Sequence, residues 1–419
     1  MNLKYIQKCR ICDNPFLKQV LNLGGHWLHG NFYNPNKELA PPKRKIPVEL
    51  MQCDTSKQSY ACGLTQLSIT TPPEILYYDY GYRSSRSQTM KNWLQSIVNK
   101  IMEINPNIET TIDVGMNDGF MLNCYPKHVK KTGVDGGSIP TEEQRLGIEV
   151  INDFYPCNGL RGRYFDCFTA IACLYDIDDI NTFIANVKQN IDVGGLFVFE
   201  VAYLPTIIRN VDYSHFVHEH LETYHLGALD YLLEKHGLKI FRAEITPTNG
   251  GSILCFACHD HNYSEFKTDE NELNLKKIKF DEFEMGIADG VPFKGNRFQF
   301  AVDKHANELN SMVKEIISSG KTIHLYSAST KGNVVLQTAH LDSSLIPYAA
   351  ERSPEKWGCS TVGTNILIIS EEESRAMNPD YYLCLIPHFK DEIREREKEF
   401  FRRGGKMIFP FPAPISIVG

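Results

Sequence analysis

Four cysteines carry the first chemistry the sequence offers. Cys9 and Cys12 are spaced as a metal-binding knuckle, and Cys53 and Cys62 make a wider second pair. In a reducing compartment four thiolates close a tetrahedral zinc site, and a zinc with every position filled by protein is structural. Two arrangements compete with it: free structural cysteines, and a site that borrows His26 and His29, which repeat the two-residue gap. A second constellation is Asp113-Val-Gly115-Met-Asn117-Asp118-Gly119, between a strand-like and a helix-like stretch. Glycines there let backbone approach a ligand closely, and a helix N-terminus favours an anionic group such as a carboxylate. Twenty residues past Gly115, strand-like TGVD ends in Asp135, placed to accept hydrogen bonds from ribose hydroxyls. The plainer alternative is a tight turn with a solvent aspartate. His218-Glu219-His220, beside His215, Tyr224 and His225, follows the strand GLFVFEV. Catalytic groups gather past the C-terminal edge of parallel strands, although loop histidines are also ordinary surface residues. The spacing is not the i, i+4 pair of a zinc-protease helix.

Two further motifs are weaker. Cys255 and Cys258 fall within one strand, where residues three apart point to opposite faces, so they make no metal pair. SASTKGN, residues 327–333, follows a strand but lacks the glycines of a phosphate loop, and alone it is a turn with a lysine.

These residues need elements to hold them. Residues 1–70, with their cysteine pairs, Gly24-Gly25, Pro41-Pro42 and short apolar runs, form a small loop-rich module of the kind that needs a staple. From 71 the chain turns aromatic and then helical, with Trp93, Leu94, Ile97, Val98, Ile101 and Met102 at helical spacing. Between 110 and 260, apolar runs alternate with candidate helices, the signature of βαβ units on a parallel sheet. Its end is distinctive: LKIFRAEIT, a turn at PTNGG, and SILCFAC make an antiparallel hairpin. A mainly parallel sheet closed by a hairpin is the plan of class I methyltransferases, by analogy of fold. With that hairpin, the turn and Asp135 fit S-adenosylmethionine better than a dinucleotide, whose pyrophosphate wants a stricter glycine fingerprint. Residues 262–300 are polar without clean periodicity and read as an interdomain segment. A second α/β pattern runs to the C-terminus, so the expected domains are 1–70, 71–261 and 262–419. No repeat of 20–50 residues is evident.

Composition narrows the partners. The chain has 419 residues, a formal net charge of −7 and 42% hydrophobic residues. There is no basic excess to bind nucleic acid or an anionic membrane, so a small-molecule substrate is expected. Twelve cysteines are too few for a disulfide scaffold. The opening MNLKYIQKCR lacks a signal-peptide core, and no apolar run spans a bilayer, so a cytoplasmic protein with reduced thiols is expected.

Over nearly its whole length the sequence resembles the sugar C-methyltransferases that act on nucleotide-linked 4-keto deoxysugars. The resemblance is carried by LNLGGHWLHGNF, CGLTQL, YDYGYRSSRSQTM, DVGMNDGFML, the His-Glu-His cluster, TNGGSI, TKGN, RSPEKWG with VGTNI, and PDYYLCLIPHFKDEI. It implies an α/β chain: an N-terminal zinc-binding module, a class I methyltransferase domain with its terminal hairpin, and a C-terminal Rossmann-like domain. Cys9, Cys12, Cys53 and Cys62 become the zinc ligands, and Gly115, Asn117, Asp118 and Asp135 the cofactor site. His220 becomes the catalytic base, with Glu219 or His218 orienting it or binding the sugar. Tyr80, Tyr82, Asp176 and Lys331 fall on the substrate side. The sequence departs from the family at Val217, where a tyrosine is usual, and at Asp176, which aligns with a histidine.

Carbon is a poor nucleophile until a proton next to a carbonyl is removed, so the expected reaction is base-catalysed α-deprotonation followed by methyl transfer to the enolate carbon. An O- or N-methyltransferase on the same scaffold, and a cofactor-binding scaffold protein without turnover, are the alternatives.

Overall fold

The computed structural model describes residues 3–34, 44–72, 76, 83–137 and 147–419. Among them, a seven-stranded sheet runs from edge to edge through Leu238–Thr246, Ser252–His259, Ile191–Ala202, Phe165–Ile171, Thr110–Val114, Lys130–Val134 and Ile148–Ile151. The first two form the antiparallel hairpin and the rest pair in parallel. Leu196 to Ala202 are buried without a break, as a central strand covered on both faces requires. Helix Gln88–Ile104 lays Met90, Leu94, Ile97, Val98 and Ile101 on one face of this sheet, and the Ser87 side chain caps it by accepting from the Met90 N–H. Cys255 and Cys258 point into the cores on opposite faces of their strand.

From Thr110–Val114 the chain moves outward through two parallel strands, then returns to add Phe165–Ile171 on the other side. Connections diverge at this reversal and leave a crevice at the strand ends. The C-terminal sheet repeats the arrangement. Ile323–Tyr326 is flanked by Tyr348–Glu351 on one side and Tyr381–Cys384 on the other, all parallel. The two crevices open onto one cavity of about 980 Å³.

The sheets exchange short strands. Phe32–Tyr33, from the cysteine-rich module, pairs with Ser360–Thr361 of the C-terminal sheet, and Glu222–Thr223 pairs with Thr65–Leu67 of the module. Arg10 strengthens the second junction: it donates to the carbonyls of Leu67 and Ile69, and its Nε lies 3.6 Å from the buried Glu222 carboxylate. The loop carrying His218-Glu219-His220 is therefore anchored just beyond its end.

Residues 262–300 differ from the expected interdomain segment. They contain helix Asp269–Met285 and the start of Arg297–Ser318. Only Leu275, Ile278 and Glu282 of the first helix are buried, while Leu273, Phe280 and Phe283 are exposed, which blurs its helical period. Glu282 accepts from the Tyr203 hydroxyl and from the N–H groups of Leu226 and Gly227, satisfying a helix N-terminus of the neighbouring sheet. No helix among the described residues is long and apolar enough to cross a membrane.

Candidate functional site

The four cysteines converge. Strand Ile46–Cys53 supplies Cys53, the loop beyond it Cys62, and a tight turn Cys9 and Cys12. Their sulfur atoms lie within 4.8 Å of one another, with Cys9–Cys62 and Cys12–Cys53 both at 3.5 Å. A disulfide needs about 2.05 Å. Tetrahedral zinc–thiolate bonds of about 2.3 Å place sulfurs roughly 3.8 Å apart, so the set fits zinc. The Asn14 amide, 3.4 Å from Cys53 Sγ, supports the cluster. His26 and His29 take no part: they hydrogen-bond each other, and His29 stacks on His218.

The cavity has a cofactor-side wall at the end of Thr110–Val114. Gly115 has φ +74°, and a Cβ there would meet the Cys173 side chain at 3.0 Å. Asn117 donates its N–H to Asp135 Oδ2 at 2.9 Å, and Asp135 Oδ1 accepts from Gly137 N–H at 2.9 Å. Asp135 therefore braces the turn as well as lining the cavity. Asp118 does not line it. Its two oxygens accept from the N–H groups of Ser85 and Phe120, so it ties the preceding segment to the turn. Asp113 lines the cavity with its carboxyl on the Thr169 hydroxyl at 2.6 Å. Burial pushes Asp113 up to about 7, against that hydrogen bond and with help from Asp135. Glu200 also lines the cavity, holding Trp93 Nε1 and Thr246 Oγ1, and burial pushes it up to about 7 as well. Buried carboxyls on the wall of an open cradle fit a cationic ligand such as S-adenosylmethionine.

The histidine loop splits in two. His220 lines the cavity, packed against Tyr175 with ring centroids 4.2 Å apart. Its Nδ1 lies 2.9 Å from the His215 carbonyl, which only accepts, so Nδ1 carries the hydrogen and Nε2 keeps its lone pair. Burial, then Lys331 and His215, hold the ring well below its usual pKa, so it is neutral. His218 turns away from the cavity. It stacks on His29 at 4.1 Å with Nε2 3.3 Å from the Ile46 carbonyl, a core position that neither orients His220 nor reaches a sugar. Alternation along the extended backbone sends residues two apart to similar sides, but the turn at Val217–His220 breaks that alternation.

Glu219 does line the cavity, with both carboxylate oxygens buried and without a hydrogen-bond partner among the described residues. Burial pushes it up to about 7. Gly30 makes room for it, since a Cβ there would sit 2.4 Å from Glu219 Oε1. Asp176, in the turn Leu174–Asp176, and Val217 line the same region, and Lys331 enters from the C-terminal sheet. Tyr80 and Tyr82 lie outside the described residues.

Several functional positions escaped sequence reasoning. Glu351 ends strand Tyr348–Glu351 and holds Ala328 N–H at 2.9 Å and Ser353 N–H at 3.0 Å. Its signal was available, because it follows the SASTKGN turn as Asp135 follows Gly115. Arg352 and Lys356, beside it, line this wall together with Glu355, Glu371 and Glu392. Asp212, 3.5 Å from His215, stands only three residues before it, so its place beside the histidines was legible along the chain.

Residues 247–412 match the C-methyltransferase C-terminal domain, and residues 9–77 match a proposed zinc-binding domain. C-methyltransferase NovU of Streptomyces niveus is 26% identical over 425 residues, covering 98% of this chain and 96% of its own. Among solved structures, an S-adenosylmethionine-dependent methyltransferase of Clostridium acetobutylicum aligns over 42% of this chain and 93% of its own, with 16% identity and a TM-score of 0.32. Magnesium protoporphyrin IX methyltransferase of Synechocystis, with bound S-adenosylhomocysteine, aligns over 40% and 83%, with 13% identity and a TM-score of 0.33.

Proposed function

We propose that this chain, which belongs to the S-adenosylmethionine-dependent C-methyltransferases with an N-terminal zinc-binding domain, methylates the carbon beside a ketone in a nucleotide-linked keto-deoxysugar. The observation that carries the reading is His220: a neutral imidazole on the cavity wall whose Nδ1 is committed to a carbonyl, leaving Nε2 to take a proton. Bound S-adenosylmethionine supplies a methyl group on a positively charged sulfur, an electrophile for carbon. Gly115, Asn117 and Asp135 form its cradle, and Asp113 and Glu200 meet its positive charge. Across the cavity, Arg352 and Lys356 receive the anionic nucleotide end of the acceptor. His220 removes the α-proton, and Glu219 accepts from a sugar hydroxyl. Cys9, Cys12, Cys53 and Cys62 hold a structural zinc that fixes the module to which the base loop is anchored. The eight cysteines outside that cluster are free thiols, which suits a reducing compartment.

A panel of nucleotide-linked sugars, each as ketone and as reduced alcohol, tests the reading by S-adenosylhomocysteine release. Release with ketones alone is the expected result. Methyl transfer to a sugar without a ketone identifies an O- or N-methyltransferase instead, and binding without release throughout identifies a scaffold protein.

A further inference from the structure

The cysteine cluster, the cradle and His220 leave one buried arrangement unused. Asp212, His215 and Lys331 meet beside the base loop, and the lysine comes from the first turn of helix Thr330–Thr338, which follows a strand of the C-terminal sheet. Lys331 Nζ donates to the Asn249 carbonyl at 2.9 Å and lies 3.3 and 3.4 Å from the two ring nitrogens of His215. An ammonium has three N–H donors, so one remains after the carbonyl and the imidazole are served. Lys331 and His220 both line the cavity. Both also hang on one residue: His215 offers its carbonyl to His220 and its ring to Lys331. That shared anchor fixes the base and the ammonium relative to each other.

We propose that Lys331 is a catalytic residue of the deprotonation step, donating a hydrogen bond to the acceptor's carbonyl oxygen as negative charge collects there. This rests on the α-deprotonation reading above. The α-C–H bond breaks and its proton goes to His220 Nε2. Its electron pair becomes the new C=C bond, and the carbonyl π pair moves onto the oxygen, facing Lys331. Other cations on the wall have partners of their own: Arg396 on the Tyr326 hydroxyl, Lys356 on the Ala328 carbonyl, Arg86 on Glu355, and Arg352 on Glu392 and the Arg86 carbonyl. Burial lowers Lys331 to about 8, with Asp212 opposing, so the group is still an ammonium at pH 7 while poorly solvated. A fixed donor of this kind, aimed at a developing oxyanion, is worth about 10²–10³ in rate. Asp212 and His215 are then positioning residues.

The test is exchange of the α-hydrogen with deuterated water. The probe is thymidine-diphosphate-linked 4-keto-6-deoxyglucose, with S-adenosylhomocysteine bound. Wild type should exchange. Lys331→Met should exchange about 10²–10³-fold more slowly at saturating probe, with S-adenosylhomocysteine affinity unchanged and partial recovery in Lys331→Arg. If Lys331→Met only raises the half-saturating probe concentration and keeps the saturated exchange rate, the lysine merely holds the anion and the inference fails. Should Lys331→Met lose cofactor binding through misfolding, Asp212→Asn is read in its place. A fall in saturated exchange rate supports the inference, and an unchanged rate overturns it. No exchange by wild type with any ketone of the nucleotide-sugar panel instead sinks the deprotonation reading itself.

Discussion

The turn after Thr110–Val114 and the turn after Ile323–Tyr326 use one backbone device with opposite charge. In the first, Asp135 at the end of the next strand accepts from Asn117 and Gly137 N–H groups. In the second, Glu351 at the end of the next strand accepts from Ala328 and Ser353 N–H groups. The acid in each case braces a strand-to-helix turn, so its presence alone says little about the ligand. The neighbours make the difference. Asp113 and Glu200 face the cavity on one side, and Lys331, Arg352 and Lys356 on the other. On the proposed reading the carboxyls meet a cationic methyl donor and the cations, interleaved with Glu355, Glu371 and Glu392, an anionic acceptor, with His220 between them.

The largest expected effect falls on that midpoint. His220→Asn removes the base while sparing both walls, and should lower turnover by roughly two to four orders of magnitude. Affinity for S-adenosylhomocysteine by calorimetry, and half-saturation by the sugar nucleotide, should barely move. Near-full activity in this variant would transfer the base to another cavity residue such as Asp176, since His218 is stacked in the core.

A smaller effect separates the walls. Asp135→Ala should weaken S-adenosylmethionine binding by about 1–3 kcal/mol, the cost of hydrogen bonds made by a charged acceptor. Glu351→Ala should raise half-saturation by the sugar nucleotide by about tenfold and leave the cofactor alone, a loss of about 1.4 kcal/mol. Calorimetric titration and steady-state kinetics on both variants give the four numbers. If Glu351→Ala shifts cofactor affinity as far as Asp135→Ala does, the division of the cavity by charge is wrong.

The first wall was readable from sequence and the second was not. DVGMNDG and the aspartate ending TGVD are short-range signals, because a strand, its turn and the next strand keep their spacing along the chain. The hairpin was equally local, resting on PTNGG between two apolar runs. SASTKGN carried the same kind of signal, but without glycines at the expected places it read as a turn with a lysine. What sequence could not supply was long-range. Lys331 meets His215 across 116 positions, and Gly30 makes room for Glu219. Asp118 and His218 were misread for a related reason. A residue type suited to chemistry was adjacent to the cavity in sequence, while its own hydrogen bonds turned it toward Ser85 or Ile46. Helix Asp269–Met285 was hidden because its exposed phenylalanines dilute the pattern its few buried residues make.

The smallest expected effect is a difference in pH dependence between the walls. Burial raises Asp113 and Glu200 to about 7, so near pH 6 both are mostly protonated and the acidic wall is nearly neutral. A cation binds the ionised carboxylates, so cofactor affinity must rise as pH increases through 7, with protons released on binding. For each carboxyl that has to ionise, the gain between pH 6 and 7.5 is about five- to tenfold. Glu200→Gln should flatten this slope without removing it, because Asp113 still titrates. Across the cavity Lys331, at about 8, stays mostly charged over the same window, so its donation to the acceptor's carbonyl oxygen should change little. Calorimetry in buffers of different ionisation heat measures the released protons directly. A cofactor affinity flat from pH 6 to 7.5, with no proton release, would mean that the cation binds away from Asp113 and Glu200. The charge contrast between the walls would then lose its acidic half.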